Sequence, residues 1–196
     1  MITSIKLLEA NQIMAQVLGH EDAAELNVKN FCELAACSRP TFYAHYGSMR
    51  QLGAELFLKK LDMHFSLEEN GYGTGLQKLL TYMAADRWYL LNLLNLIKTP
   101  GIKGKSGKGR KGSEFAASFP LKVEKALRQK TVHYVDARSA SGDYSVKTLT
   151  NAAHIVYAIL YEWLAEDLRL SPQEVYDRCQ LAVAIIEDQI SKKAVL

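Results

Sequence analysis

The chain has 196 residues, 48% hydrophobic and 23% charged, with a net charge of +3 at pH 7, and this globular composition excludes collagen-like, low-complexity and disordered proteins. Its longest apolar run, from Trp88 to Ile97, is shorter than the roughly 20 residues that cross a bilayer, so we expect no membrane partner. The N-terminus lacks the pattern of a secretory signal, and we expect a cytoplasmic protein.

Apolar residues recur at intervals of three and four along the chain, a pattern that predicts an all-α fold of about nine helices. The first helix is predicted over residues 4–18, with Gly19 as a left-handed stop. Two short helices follow at about 28–36 and 39–46, and a longer one covers about 49–65.

The boundaries of these helices carry chemical signals. Asn27 and Ser38 can accept hydrogen bonds from the N–H groups of a first helical turn, and Pro40 lies where its missing N–H removes no helical bond. Gly47 supplies a left-handed exit, and Ser48 begins a capping box for the next helix.

The next segment, residues 69–75, is rich in glycine and is predicted to be a linker. The helices predicted after this linker cover residues 76–98, one or two segments up to 138, residues 144–168, and the segment that begins with the capping signal Ser171-Pro-Gln-Glu174.

A tract rich in lysine and glycine, residues 98–112, interrupts these helices and is predicted to be mobile. Six of the 24 basic residues of the chain lie in it, so the basicity of the chain is local. Two readings remain open: the tract adds sequence-independent contacts to DNA phosphates, or it is a solvated loop.

The sequence contains no pattern that indicates catalysis or metal binding. The chain has an odd number of cysteines, Cys32, Cys37 and Cys179, and none of them belongs to a CxxC motif. We therefore expect buried free thiols, and we expect the protein to bind no metal and no cofactor. No HExxH motif, nucleophile elbow or phosphate-binding glycine loop occurs either. We therefore expect a protein that is not an enzyme.

The last two predicted helices are apolar over much of their circumference, which favours a homodimer that buries them in a four-helix bundle. Packing within one chain is the alternative. The residues predicted to form the dimer interface are Val156, Leu160, Trp163, Leu164, Val175, Cys179, Val183 and Ile186.

The two short helices have the spacing of a helix-turn-helix, whose second helix enters the major groove of DNA. On a helical wheel of about 100° per residue, Phe42 and Tyr46 share one face, predicted to pack on Phe31, Leu34 and Leu52. The opposite face is formed by Pro40, Thr41 and Ala44, and it is flanked by Tyr43 and His45.

The segment from Asn27 to Leu52, with its core Thr41-Phe-Tyr-Ala-His-Tyr46, resembles the signature of the tetracycline-repressor (TetR) family. The match looks most like the branch that includes regulators of dihydroxyacetone kinase. This resemblance implies a dimeric transcription regulator, in which a small effector bound by the C-terminal helices alters binding to a near-palindromic operator in double-stranded DNA.

The resemblance also assigns roles to single residues. Tyr43 and His45 would contact phosphates, Asn27 would cap its helix at the DNA backbone, and Thr41 with Arg39 would reach base edges. The full set of residues predicted at the DNA interface is Asn27, Lys29, Ser38, Arg39, Pro40, Thr41, Tyr43, Ala44, His45 and Arg50.

The sequence departs from the family pattern in three ways. The groove face of Pro40, Thr41 and Ala44 offers one hydroxyl and otherwise apolar contact suited to thymine methyl groups, which leaves Arg39 as the only strong guanine reader. Met49 stands where a basic residue is usual, so a phosphate contact passes to Arg50 or is lost. Residues 1–65 carry six basic and seven acidic side chains, a net charge of −1 that steers poorly onto a polyanion. All three features favour a rival function, a helical module that keeps the family fold but binds a partner protein as a co-activator or sensor.

The implied domains are a helix-turn-helix domain over residues 1–48, a connecting helix and linker over 49–70, and an effector-binding and dimerisation domain over 71–196. A pocket there would be mostly apolar with a few polar groups, which suits an uncharged or aromatic effector. The residues predicted to line it are Tyr82, Met83, Trp88, Tyr89, His133, Tyr134, His154, Tyr157 and Tyr161.

Overall fold

A computed structural model describes residues 7–23, 25–67, 71–98, 109–139 and 144–191 of the chain. Within these ranges every regular element is an α-helix and no strand occurs, which confirms the predicted all-α class. The helices are α1 (Leu7–Leu18), α2 (Val28–Leu34), α3 (Arg39–Tyr46), α4 (Met49–His64), α5 (Tyr72–Ala85), α6 (Arg87–Lys98), α7 (Gly109–Asp136), α8 (Val146–Ala165) and α9 (Pro172–Ser191).

Two of the predicted capping signals begin helices as expected. The Asn27 side-chain oxygen accepts hydrogen bonds from the backbone N–H groups of Lys29 and Asn30, at 2.9 and 3.1 Å. At the start of α9 the two capping residues serve each other: Ser171 N donates to Glu174 Oε2 at 2.8 Å, and Glu174 N donates to Ser171 Oγ at 3.3 Å. Both helices therefore start where local chemistry satisfies their first N–H groups.

The chain passes from α3 to α4 through Gly47, whose φ of 67° confirms the predicted left-handed exit. Gln51 N then donates to Ser48 Oγ at 3.2 Å, as in a capping box. The reciprocal bond differs from the prediction, because Ser48 N donates to the Tyr46 carbonyl and the Gln51 side chain accepts from Ser48 Oγ instead.

The predicted left-handed stop of α1 is wrong. Gly47 is the one described glycine with a positive φ, so Gly19 does not adopt the left-handed conformation. The end of α1 is satisfied by a side chain from far along the sequence, because Asn92 Nδ2 donates to the carbonyl oxygens of Leu18 and His20 at 3.0 and 2.8 Å.

The predicted linker and the long helix after it also need correction. Helix α5 begins at Tyr72, inside the stretch 69–75, and two of the glycines of that stretch are buried in its first turns. The predicted helix over 76–98 is two helices, because a turn at Asp86 separates α5 from α6.

Most of the tract 98–112 lies outside the described residues, and neither reading of its role is tested. Helix α7 begins at Gly109, within that tract, and runs to Asp136 as one helix with Pro120 inside it.

Packing divides the chain into two compact units, Met1–Lys60 with Asp86–Phe119, and Leu61–Ala85 with Pro120–Leu196. In the first unit α1 packs against α6, and Tyr89 Oη donates to Asn11 Oδ1 at 3.2 Å. The predicted domain boundaries at residues 48 and 70 follow function rather than packing and stay a prediction.

In the second unit α9 packs against both α8 and α5. The connection from α8 to α9 contains two consecutive left-handed residues, Asp167 and Leu168. It is held by Trp163, whose indole N–H donates to the Leu170 carbonyl at 3.1 Å. Trp163 is also among the largest fully buried side chains, so the same residue closes the helix pair and fills its core.

Within the described ranges, none of the helices combines the length and the hydropathy that a bilayer span requires.

Candidate nucleic-acid interface

A tight turn links α2 to α3. The backbone N–H groups of Ala36 and Cys37 donate to the carbonyls of Glu33 and Cys32, at 3.4 and 3.0 Å. This is the hydrogen-bond pattern of a Schellman motif, which ends a helix with one left-handed residue. That residue is Ala36, with a φ of 47°, in a position that favours glycine.

The same turn brings together Cys32 and Cys37, the two positions that a Schellman motif places in contact. Burial, together with the hydrogen bond that the Cys37 thiol makes to Cys32, raises the pKa of Cys37 to about 11. Burial also raises the pKa of Cys179 to about 12. All three cysteines are free thiols, as predicted, although Cys37 is only half-buried.

Three aromatic rings fix α3 against α2. The Phe31 ring packs edge-on against Phe42, with 5.4 Å between the ring centroids, and against Tyr46 at 6.5 Å. Phe42 and Tyr46 also contact each other at 5.6 Å. Leu52 is fully buried, as predicted, but Leu34 is not an anchor. Its side chain is 53% exposed, because α2 ends at this residue and the chain turns away.

The opposite face of α3 is open to solvent. Pro40 and Ala44 are exposed and Thr41 is half-buried. The flanking Tyr43 is 52% exposed, and its ring packs edge-on against the buried Phe42 at 5.5 Å. The exposed His45 ring similarly lies 6.2 Å from that of Tyr46. Both flanking side chains are therefore supported by the core of the helix pair.

The cap of α3 engages Thr41. Ser38 Oγ accepts a hydrogen bond from Thr41 N at 3.2 Å and lies 2.8 Å from Thr41 Oγ1, a second hydrogen bond. The two hydroxyl groups therefore hydrogen-bond to each other at the start of the helix. The side-chain group that Thr41 leaves outside this cap is its methyl.

The basic residues around this face differ in how far their side chains are exposed to solvent and free to contact an anion. Arg39 is exposed at the first position of α3, and Lys29 is exposed on α2, where it forms a surface ion pair with Glu33 at 3.9 Å. Such pairs are weak, so Lys29 can exchange this partner for another anion. Arg50 is half-buried, with its Nη2 atom away from solvent. Met49 is 7% exposed and belongs to the core.

The residues predicted to bind an effector fall into both units. Trp88 and Tyr89 belong to the first unit and the other seven to the second. Met83, Tyr89 and Tyr134 are buried, Tyr82, Trp88 and Tyr157 are half-buried, and His133, His154 and Tyr161 are exposed. The prediction of one pocket that contains them stays untested.

The structure brings some of these residues together on the surface of the second unit. His154, Tyr157 and Tyr161 follow one another along α8, with ring centroids 6.3 and 5.9 Å apart, and His154 Nδ1 lies 3.0 Å from Glu124 Oε1. Elsewhere, Tyr82 stacks on His64 with 3.5 Å between ring centroids. These two rings line an open groove of about 470 Å³.

A buried polar cluster involves Tyr134 and three residues that the sequence did not indicate. Tyr72 N donates to Tyr134 Oη at 3.0 Å and also to Glu187, and Tyr134 Oη donates to the same carboxylate. Tyr72 Oη lies 2.9 Å from Thr131 Oγ1. Burial raises the pKa of Tyr72 well above its ordinary value. The cluster ties the start of α5 to α7 and α9.

The dimer interface stays a prediction, and the residues predicted to form it are mostly buried within a single chain. Seven of the eight are buried within one chain and Leu164 is half-buried, because α9 packs on α8 and α5. The seven buried residues belong to the core of the second unit, whereas other residues of the same helices are exposed. The large apolar ones among these are Val146, Ile155, Tyr161 and Leu181.

No group of three possible metal ligands occurs in the part of the chain that the structure describes. In comparisons with known proteins, no family model, no curated protein and no solved structure matches the chain. The resemblance of residues 27–52 to the TetR signature therefore stays a prediction.

Proposed function

We propose that the protein is a dimeric TetR-like transcription regulator, in which α2 and α3 form a helix-turn-helix that binds double-stranded DNA. One observation carries this proposal. The Phe31, Phe42 and Tyr46 rings lock α3 by one face, while its other face stays exposed between Tyr43 and His45.

The exposed face suits the major groove. That groove is about 12 Å wide and admits one α-helix, and small side chains at Pro40 and Ala44 allow a close approach. Tyr43 and His45 would hydrogen-bond to phosphates on either side, and Arg39 would reach a guanine edge. Because Arg50 is half-buried and Met49 lies in the core, the phosphate contacts depend on the flanking residues of α3.

A dimer would place two such helices on one operator. Two-fold symmetry then requires a near-palindromic site with half-sites about 34–36 Å apart, or a multiple of that spacing. In this proposal a small uncharged or aromatic molecule bound by the C-terminal helices changes that spacing and so controls DNA affinity. The aromatic residues of α5 and α8 support an effector of this kind.

The test is selection of bound duplexes from a random DNA pool by the full-length protein near physiological salt. We expect an enriched palindrome, and Tyr43→Ala should weaken its binding about a hundredfold, since it removes a hydrogen bond to a charged group, worth about 1.5 kcal/mol or more, from each of the two half-sites. The control is Leu121→Ala, which removes a large exposed side chain, 65%, from α7. Equal binding by all three proteins would contradict the proposal.

A second function is favoured by one specific observation, the 53% exposure of Leu34 beside α3. Together with the buried Met49, it suits a helical module that binds a partner protein. Such a module would enrich no duplex in the selection, even at low salt, and would be indifferent to Tyr43→Ala.

A further inference from the structure

Apart from Arg39 at its start and the flanking Tyr43 and His45, the exposed face of α3 has little capacity for hydrogen bonds to bases. Pro40 and Ala44 carry no polar side-chain atoms. Thr41 has a hydroxyl, but Ser38 engages it at 2.8 Å in the cap of the helix. That hydroxyl is the one polar side-chain group that these three residues carry. The remaining groups on this surface are the ring methylene groups of Pro40 and the methyl groups of Thr41 and Ala44.

In the major groove of DNA, thymine is the base that presents an apolar group, its C5-methyl. Apolar side chains recognise thymine by packing on that methyl and excluding water from it. A surface of Pro40, Thr41 and Ala44 therefore matches thymine, and its one polar group, the Thr41 hydroxyl, already has a hydrogen-bond partner in Ser38.

We propose that α3 reads thymine methyl groups in each half-site, through Pro40, Ala44 and the Thr41 methyl, with the Thr41 hydroxyl kept for the helix cap. This inference rests on the proposed function, since it names the chemistry by which the same surface recognises its operator. It assigns Thr41 to apolar recognition rather than to a hydrogen bond with a base.

Uracil tests this directly, because deoxyuridine differs from thymidine only by the missing methyl and keeps the same base pairing. Each thymine of the selected half-site is replaced in turn by deoxyuridine, and the dissociation constant is measured by fluorescence anisotropy at constant salt. We expect a loss of about fourfold at each contacted thymine, the change that one buried methyl or methylene group produces. Thymines outside the half-sites should show no change.

Two variants of Thr41 separate its methyl from its hydroxyl. Thr41→Ser keeps the hydroxyl and the cap but lacks the methyl, and it should reduce the thymine-to-uracil ratio to about one at a single position. Thr41→Val keeps a methyl, lacks the hydroxyl, and should retain that ratio. Thr150→Ser, on α8, is the matched control, since Thr150 is also half-buried and also hydrogen-bonded near a helix start. Circular dichroism establishes that each variant is folded.

The outcomes separate this inference from the proposed function. Sequence-specific binding with ratios near one at every thymine would overturn thymine recognition and leave DNA binding intact. Loss of the ratio in Thr41→Val, with retention in Thr41→Ser, would assign recognition to the hydroxyl and would also overturn it. Failure to enrich any duplex would overturn both proposals together.

Discussion

Neighbouring aromatic residues on α3 have opposite surroundings. Phe42 is fully buried among the rings of the helix pair, whereas Tyr43 is 52% exposed. We expect Phe42→Ala to lower the free energy of unfolding by about 3–5 kcal/mol, since it removes a buried ring and leaves a cavity. Tyr43→Ala should change it by less than about 1 kcal/mol. Urea denaturation of the two variants checks this difference.

Comparison of Phe42→Ala with Tyr43→Ala also separates an effect on stability from an effect on DNA binding. Under the proposed function, Tyr43→Ala weakens DNA binding in a folded protein, while Phe42→Ala weakens it by unfolding the helix pair. If Tyr43→Ala were as destabilising as Phe42→Ala, then Tyr43 would be a core residue and its assignment to the DNA-facing rim would fail.

Ala36 occupies a backbone conformation that favours glycine. Its φ of 47° lies in the left-handed region, where a Cβ atom costs roughly 1 kcal/mol or more. We expect Ala36→Gly to stabilise the protein by about 0.5–1 kcal/mol, after allowance for the greater freedom of glycine in the unfolded chain. The control is Ala35→Gly, at a φ of −84°, which should destabilise it. Equal effects of the two substitutions in chemical denaturation would contradict this reading of the turn.

At this scale the sequence predicted the buried and exposed faces of α3, because the period of a helix fixes which residues share a side. It was wrong for Leu34, and it did not indicate the hydrogen bond between the Thr41 and Ser38 hydroxyl groups. The exposure of Leu34 depends on where α2 ends, and the Thr41 hydroxyl is engaged by a neighbouring side chain. Helical periodicity contains neither fact.

The first turns of α5 are built from glycines that allow close packing. A Cβ atom on Gly73 would lie 2.6 Å from Tyr176 Oη, and one on Gly75 would lie 2.5 Å from a Leu67 methyl and 2.9 Å from the Ser66 carbonyl oxygen. Alanine is usually the better helix former by about 1 kcal/mol. Here contacts of this length outweigh that gain.

We therefore expect both Gly73→Ala and Gly75→Ala to destabilise the protein, with Gly75→Ala costing more because its obstacle includes backbone. Overpacking typically costs about 1–3 kcal/mol. Adding Tyr176→Phe, which removes the obstructing hydroxyl, should partly rescue Gly73→Ala and should not rescue Gly75→Ala. Thermal and urea denaturation of the single and double variants measure these differences, and stabilisation by either alanine would contradict this packing.

The stability of the first turn of α9 is expected to depend on pH. Hydrogen bonds from Ser171 hold the pKa of Glu174 below its ordinary value of 4.5. A lowered pKa in the folded state means that this cap stabilises the folded protein above the ordinary value and loses its effect as the pH falls through the lowered one. We expect the first turn of α9 to fray at acidic pH.

Ser171→Ala tests this effect at its cause. In the variant, an NMR titration should place the Glu174 pKa nearer to 4.5, and backbone amides of the first α9 turn should exchange faster at neutral pH. An unchanged titration would contradict the capping role of Ser171.

The elements were predictable where their signals are local. Ser171 and Glu174 lie three residues apart, and both halves of their cap are visible in the sequence. The first turn of α5 was misread as a linker because the residues that make its glycines necessary, such as Tyr176, lie about a hundred positions away. The break at Asp86 has no glycine or proline to mark it. The start of a helix can thus be predicted from neighbouring residues in the sequence, whereas close packing between distant residues cannot.

For the whole molecule, the proposed dimer depends on which side chains of α8 and α9 a single chain leaves exposed. Val156, Trp163 and Ile186 are buried within one chain, so they stabilise the subunit. The ion pair of Arg178 with Glu162, at 3.9 Å, joins the exposed sides of α8 and α9 into one surface. The apolar residues that a second copy would cover there are Ile155 and Leu181. The sequence indicated two apolar helices, but could not say which of their faces the chain itself covers.

Leu181 gives the sharpest test of this dimer, because at 72% it is the most exposed of the large apolar side chains described. A buried leucine contributes roughly 1.5–3 kcal/mol, and two-fold symmetry counts it twice. Leu181→Lys should therefore raise the dissociation constant of the dimer about a hundredfold or more in sedimentation equilibrium. It should also weaken binding to a full palindrome while leaving binding to a single half-site unchanged. The control, Leu121→Lys on α7, replaces a leucine of 65% exposure and should alter neither property. A dimer that tolerates Leu181→Lys and dissociates with Leu121→Lys would move the interface from α8 and α9 to α7.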